Sequence, residues 1–207
     1  MEYITLNTGE KMPIVGTGTN TYGKENNQYN GALNDDFSAL KDAIELGYQS
    51  IDAAISYRNE KGVGQTIADS GIPREEFFIT TKIPNGEEFV SSKDNVRAAI
   101  DNSLNNFHTD YLDLLLIHHP IENKDYFKAT WEVFEEYYQS GKLKSIGVSN
   151  FDKDLIDEMA TFATVKPAVN QIQINLKEKN ADLVELLKHM DIAPVAWGPM
   201  KATDDQI

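Results

Sequence analysis

Cysteine is absent from the 207 residues, which removes disulfide frameworks, thiolate metal sites and cysteine nucleophiles together and fits a reducing compartment, the cytoplasm. Basic residues are scarce: 19 Lys and Arg stand against 33 Asp and Glu, a formal net charge of -14. A surface of that sign repels phosphate backbones and anionic lipid headgroups, so neither nucleic acid nor a membrane is expected as a partner. Long apolar runs are missing too. Nothing nears the roughly 20 residues that a spanning helix needs, and Met1-Glu2-Tyr3-Ile4-Thr5-Leu6 carries no basic segment leading into an apolar one.

What is present is enough for one large core, since 41% of the residues are hydrophobic, and residues 1–207 read as a single domain. At the start, Asn7-Thr8-Gly9-Glu10 separates two short apolar-rich segments and predicts a β-hairpin that could plug one end of a barrel. Residues 20–30, rich in Asn, Gly and Lys, have neither periodicity and read as a long surface loop. From there the chain alternates short β-branched or leucine-rich runs with amphipathic stretches, the βαβ rhythm. Strands are expected at 48–51, 77–81, 112–117, 145–148, 168–172 and 192–196, with a further one after Gly16. Helical stripes run through Phe37, Leu40 and Ile44; Val96, Ile100, Leu104 and Phe107; Phe127, Trp131, Phe134 and Tyr138; and Leu155, Met159 and Phe162. The aromatic members of these stripes are expected in the core. Ser91 or Ser92 can cap the helix that contains Val96, while Gly47 and Gly141 sit where helices should stop.

Seven mostly apolar parallel strands imply a sheet buried on both faces. An open doubly wound sheet would carry a Gly-x-Gly-x-x-Gly turn after its first strand, and Gly16-Thr17-Gly18 lacks the third glycine. A (β/α)8 TIM-barrel type, incomplete at seven strands, is the better fit.

The reactive side chains fall at the carboxyl ends of these strands, where barrels place their active sites. Asp52 follows the second strand with Tyr57 in the next loop; Lys82 ends the third, His118 the fourth, Ser149 and Asn150 the fifth, and Gln171 lies near the end of the sixth. A phenol is a poor proton donor or acceptor at neutral pH unless a nearby cation stabilises its phenolate. Lys82 could supply that cation, Asp52 could hold the ammonium, and a neutral His118 could orient a carbonyl. The adjacent imidazoles of His118 and His119, with Asp52, invite a metal reading. Strand alternation should send them to opposite faces, however, so no metal is expected.

Here the sequence resembles the aldo-keto reductase family along nearly its whole length. The resemblance rests on Met12-Pro13, Gly16-x-Gly18-Thr19, Gly47-Tyr48, Ile51-Asp52-x-Ala54, Tyr57-x-Asn59-Glu60 and Val63-Gly64. It continues through the segment Arg74 to Lys82, Tyr111-Leu112-Asp113-Leu114-x-Leu116-Ile117-His118-x-Pro120, Gly141 to Phe151, and Pro167-Ala168-Val169-Asn170-Gln171. It implies a catalytic tetrad of Asp52, Tyr57, Lys82 and His118, with Tyr57 giving a proton to a carbonyl oxygen and hydride coming from NADP(H) or NAD(H). Cofactor contacts would come from Gly18, Thr19, Asp52, Ser149, Asn150, Gln171, Trp197, Gly198 and Met200, with Trp197 stacking on the nicotinamide where many members carry tyrosine.

Three departures bear on the pocket. Ala53 stands where the family usually has threonine, and its expected cost is one hydrogen bond. Asn20 and His119 replace common aromatics, so a substrate pocket lined by Asn20, His118 and His119 should be more polar than usual. The resemblance also implies that a seventh helix, an eighth strand and helix, and a basic segment for the adenosine 2′-phosphate would follow Met200, so the chain reads as C-terminally truncated. Open edges on strands one and seven would then favour self-association. Reduction of small-molecule aldehydes or ketones to alcohols is the leading expectation. Its rival is a non-catalytic barrel remnant acting as a fragment or interaction subunit.

Overall fold

The structure is a computed structural model and describes residues 1–200. Gly9, at φ 89, turns the chain so that β1 (Tyr3–Thr5) pairs antiparallel with β2 (Lys11–Pro13). After the hairpin, strands and helices alternate. They are β3 (Gly16–Gly18), α1 (Ser38–Glu45), β4 (Ser50–Asp52), α2 (Glu60–Asp69), β5 (Phe78–Ile83), α3 (Glu87–Val90), α4 (Lys93–Asn106) and β6 (Leu114–Ile117). Then come α5 (Lys124–Gln139), β7 (Ile146–Ser149), α6 (Lys153–Ala160), β8 (Val169–Gln173), α7 (Ala181–His189) and β9 (Ala193–Trp197). Strands β3 to β9 form one parallel sheet in sequential order.

That sheet is curled. Gln171 on β8 donates a hydrogen bond to Asp52 on β4 at 2.7 Å, although β5, β6 and β7 lie between them. A flat sheet, at about 4.8 Å per strand, would hold the two roughly 19 Å apart. The curl is that of an incomplete (β/α)8 barrel, and among the described residues the outer sides of β3 and β9 have no second neighbour. No helix among the described residues is long and apolar enough to cross a membrane.

Strand alternation divides the core in two. Outward residues Ile51, Ile79, Leu115, Ile117, Val148 and Ile172 pack under the helices. The expected stripes are there: Leu40 and Ile44, Val96 and Ile100, Phe127, Trp131 and Phe134, and Met159 are all buried. Inward residues Phe78, Leu114, Leu116 and Val169 instead meet Leu6 and Met12 of the hairpin. Asn7 of the hairpin fastens it by donating to the carbonyls of Pro167 (3.0 Å) and Asp191 (2.9 Å). The hairpin therefore closes one end of the curled sheet, and the other end is left for polar side chains. Ser92, not Ser91, caps α4, accepting from Asn95 N at 3.1 Å.

Two sequence expectations change. The strand expected at 112–117 begins at Leu114, because the amide of Ile79 donates to the Asp113 carboxylate (2.8 Å), which also holds Arg74 (2.7 Å). A side chain has taken that place in the ladder, and Leu112 makes only an isolated bridge to Leu143. Residues 20–30 are not a plain surface loop either. Lys24 within them is 1% exposed, and its ammonium donates to the carbonyls of Asn20 (2.7 Å) and Tyr29 (2.8 Å).

Candidate active site

Inward positions that are apolar near the hairpin become polar toward the strands' carboxyl ends. Lys82, the last residue but one of β5, whose positions are all buried, is itself 0% exposed. Its ammonium is fully engaged, donating to Asp52 Oδ1 at 2.6 Å, to the Ala53 carbonyl at 2.8 Å and to Tyr57 Oη at 3.3 Å. Burial alone would depress the lysine pKa, but the Asp52 carboxylate and the Tyr57 phenol outweigh it, and the net direction is upward. Asp52 is held from its other side by Gln171. Ala53 contributes through its backbone, so the missing threonine hydroxyl leaves the lysine with three partners.

Tyr57 lies in a short 3-10 turn, Ile55–Tyr57, directly after β4. Burial raises its pKa above the ordinary phenol value, against the pull of Lys82 and with the push of Asp52. The cation expected from the sequence is in place. It moderates the phenol's burial without reversing it, and the group stays a protonated donor. His118 stands edge-on to Tyr57, ring centroids 5.8 Å apart, and shares a 3.2 Å hydrogen bond with Ser56 through Nδ1. Burial first, then the charge of Lys82 and the neighbouring His119, lower the His118 pKa to about 3, so the imidazole is neutral. Ser56 was not singled out in the sequence, where a lone serine carries no signal.

The two histidines are side by side. Their rings stack at 4.6 Å and 9°, contrary to the expectation that successive residues point to opposite faces. The reason is that β6 ends at Ile117, so alternation no longer governs 118 and 119. Asn150, at φ 63, holds both: its amide donates to the His118 carbonyl (3.0 Å) and to His119 Nδ1 (3.2 Å). Its Oδ1 accepts the Trp197 indole N–H at 2.8 Å, which fixes the amide's orientation and leaves the His119 proton on Nε2. Among the described residues no group of three His, Cys, Asp or Glu side chains is disposed to hold a metal ion.

The remaining expected residues are arranged as follows. Thr19 is buried, with N and Oγ1 both donating to the Asp52 carbonyl (2.9 and 3.0 Å). Ser149 donates to the Gln171 carbonyl at 2.9 Å. Gly18 pairs with Asp52 in the sheet and faces open space, since a Cβ there would meet nothing within 4 Å. Gly198 follows Trp197 at φ 61. Asn20 is exposed and its carbonyl accepts from Lys24 of the following loop, not from the cluster, and Met200, 90% exposed, is not drawn into it either.

A curled parallel sheet gathers an acid, ammonium, phenol and imidazole cluster at its carboxyl ends, the end at which barrels of this type place their active sites. The chain belongs to the aldo/keto reductase family, whose model matches residues 14–203. It is 39% identical to the glyoxal reductase of Bacillus subtilis over 197 residues, covering 95% of this chain and 67% of that protein. It is 36% identical to the glycerol 2-dehydrogenase (NADP(+)) of Saccharomyces cerevisiae, covering 97% and 69%. Among solved structures it is similar to an aldo/keto reductase from Brucella melitensis, with TM-score 0.87, 34% identity, and 99% and 75% of the two chains covered. A Bombyx mori aldo-keto reductase in complex with NADP superposes with TM-score 0.83 and 34% identity, covering 95% and 66%. The chain thus spans about two thirds of the length of the curated relatives it matches.

Proposed function

We propose that residues 1–207 act as one domain that reduces small-molecule aldehydes or ketones to alcohols with NADP(H), and secondarily NAD(H), with Tyr57 as the proton donor. One observation carries the reading: the Tyr57 hydroxyl lies 3.3 Å from a fully buried Lys82 ammonium that is itself locked to Asp52 at 2.6 Å. Support for the cofactor comes from the NADP-dependent yeast relative and the NADP-bound silkworm structure.

The residues present fit the nicotinamide end. Gln171 uses one amide hydrogen on Asp52 and keeps its Oε1 and second hydrogen for a carboxamide. Gly18 leaves the open space that a cofactor needs, and Trp197 offers an indole face. Gly18, Thr19, Asp52, Ser149, Asn150, Gln171, Trp197, Gly198 and Met200 would hold the cofactor, which when bound supplies hydride to the carbonyl carbon. Asn20, His118 and His119 would line the substrate pocket.

The protein's own work is at the oxygen. Tyr57 remains protonated at physiological pH because burial raises its pKa, so it gives its proton to the oxygen as negative charge develops there. Lys82 stabilises the phenolate that is left, and Asp52 keeps the ammonium at that point. Neutral His118, fixed by Ser56, directs the carbonyl oxygen by hydrogen bonding without competing as an acid.

Tyr57→Phe should lower NADPH-dependent aldehyde reduction by about 10^3-fold while leaving NADPH quenching of tryptophan fluorescence within twofold of the unaltered chain. Equal loss of both would sink the assignment. A second reading, an interaction subunit without catalysis, is favoured by the sides of β3 and β9 that have no strand partner among the described residues and present N–H and C=O groups for self-association. Absence of quenching at millimolar NADPH, together with concentration-dependent self-association, would favour that reading over the first.

A further inference from the structure

The segment between β3 and α1 is a strap folded back onto the proton donor. Its two limbs are tied by hydrogen bonds from Glu25 N to the Ala32 carbonyl and from Asn34 N to the Gly23 carbonyl, both 2.9 Å, and by an antiparallel bridge between Lys24 and Leu33. Inside, the buried Lys24 ammonium sits 4.7 Å from the centre of the Tyr29 ring and binds that residue's carbonyl. Arg58, the residue after Tyr57, takes a left-handed conformation at φ 63 and reaches back to the carbonyls of Tyr29 (3.3 Å) and Gly31 (3.2 Å). A lysine in the strap and an arginine beside the tyrosine thus fix the same residue.

The result is that Tyr29 meets Tyr57 edge to face, ring centroids 6.0 Å apart and planes at 82°. Tyr57 also meets His118 edge to face at 5.8 Å, with His119 stacked upon His118. The Tyr57 ring is therefore in edge contact with both Tyr29 and His118, and His118 is backed by His119. Tyr29 is still 44% exposed, so it touches Tyr57 while remaining open to solvent and is not absorbed into the core. Cation–π and carbonyl contacts to a desolvated lysine hold a ring far more firmly than a solvent-exposed loop side chain is held.

Resting on the reductase reading, we infer that Tyr29 is a specificity-determining residue of this site. Anchored by Lys24 and Arg58, it forms a wall that admits compact carbonyls and excludes those with a bulky ring next to the carbonyl carbon. A wall works by sterics, so removing the ring should raise turnover of large substrates, whereas removing only its hydroxyl should change little.

The test compares kcat/KM for propionaldehyde and for 2-naphthaldehyde in the unaltered chain, Tyr29→Ala, Tyr29→Phe and Lys24→Met, with NADPH quenching measured on each. The naphthaldehyde-to-propionaldehyde ratio is expected to rise at least tenfold in Tyr29→Ala, to rise severalfold in Lys24→Met, where the strap loses its anchor, and to stay within twofold in Tyr29→Phe. An unchanged ratio in Tyr29→Ala, or an equal fall for both aldehydes, overturns the inference while leaving the reductase reading standing. No NADPH-dependent reduction of either aldehyde by the unaltered chain overturns both.

Discussion

At the scale of single residues, the site is defined by charge placement among largely buried side chains. His118 is the sharpest case: an imidazole near 6.5 in the unfolded chain is lowered to about 3 by burial and by the Lys82 charge. The unfolded state therefore binds the proton more readily, so the stability gained from keeping His118 neutral is full above pH 6.5 and is lost progressively as pH falls toward 3. Replacing it by asparagine should flatten this limb. Between pH 7 and pH 5, urea unfolding of the unaltered chain should lose about 1 kcal/mol more than His118→Asn, a figure reduced for partial solvent screening. Equal losses would show that the imidazole is protonated in the folded protein. The four central residues were legible in the sequence because Asp52, Lys82 and His118 fall at strand ends, Tyr57 in the loop after one, and together they match a family pattern. What the sequence hid was lateral contact, such as Gln171 on Asp52 or Asn150 between Trp197 and His119, which depends on the curl of the sheet and on local φ values.

At the scale of elements, the long apolar helices were visible from their periodicity, and α2 was not. It carries Gly62 and Gly64 and only a short apolar face, so its position is set by polar bonds and close approach. Glu60 at its start is 4% exposed and accepts hydrogen bonds from Thr81 on β5 (2.6 Å) and from Ser103 (3.0 Å) and Asn106 (3.1 Å) on α4. Gly64 allows the same packing, because a Cβ there would stand 2.1 Å from the Asn106 carbonyl oxygen and 2.7 Å from Phe107 Cα, both backbone atoms. The Tyr57-x-Asn59-Glu60 motif therefore joins the site to the scaffold: Asn59 holds the carbonyls of Thr19 (2.7 Å) and Tyr22 (2.9 Å) while Glu60 holds β5 and α4. Glu60→Ala should cost about 3 kcal/mol in urea unfolding, since it strands several buried donors, and Glu60→Gln should cost less because one acceptor oxygen remains. A loss below about 1 kcal/mol in the alanine variant would mean that water replaces the carboxylate. The strap around Lys24 escaped sequence analysis for a related reason, as a buried lysine satisfied by backbone carbonyls leaves no periodic trace.

At the scale of the whole molecule, the acidic composition that argues against a nucleic-acid partner also acts on the proposed cofactor. NADPH carries phosphate charge, and the chain carries a net -14. The ammonium nearest the reacting end, Lys82, is already neutralised by Asp52 and does not offset that field. Raising ionic strength from 10 to 100 mM shortens the Debye length from about 30 Å to about 10 Å, so repulsion from distant carboxylates is screened while contacts at the site persist. NADPH should therefore bind this chain severalfold more tightly at the higher salt, and NADH, which lacks the 2′-phosphate, should respond less. A site governed by a cationic phosphate clamp gives the opposite slope, because salt weakens the attraction on which it depends. Fluorescence titrations of both cofactors at the two ionic strengths separate the cases: affinity that falls with salt would mean that local cations outweigh the net charge of the molecule.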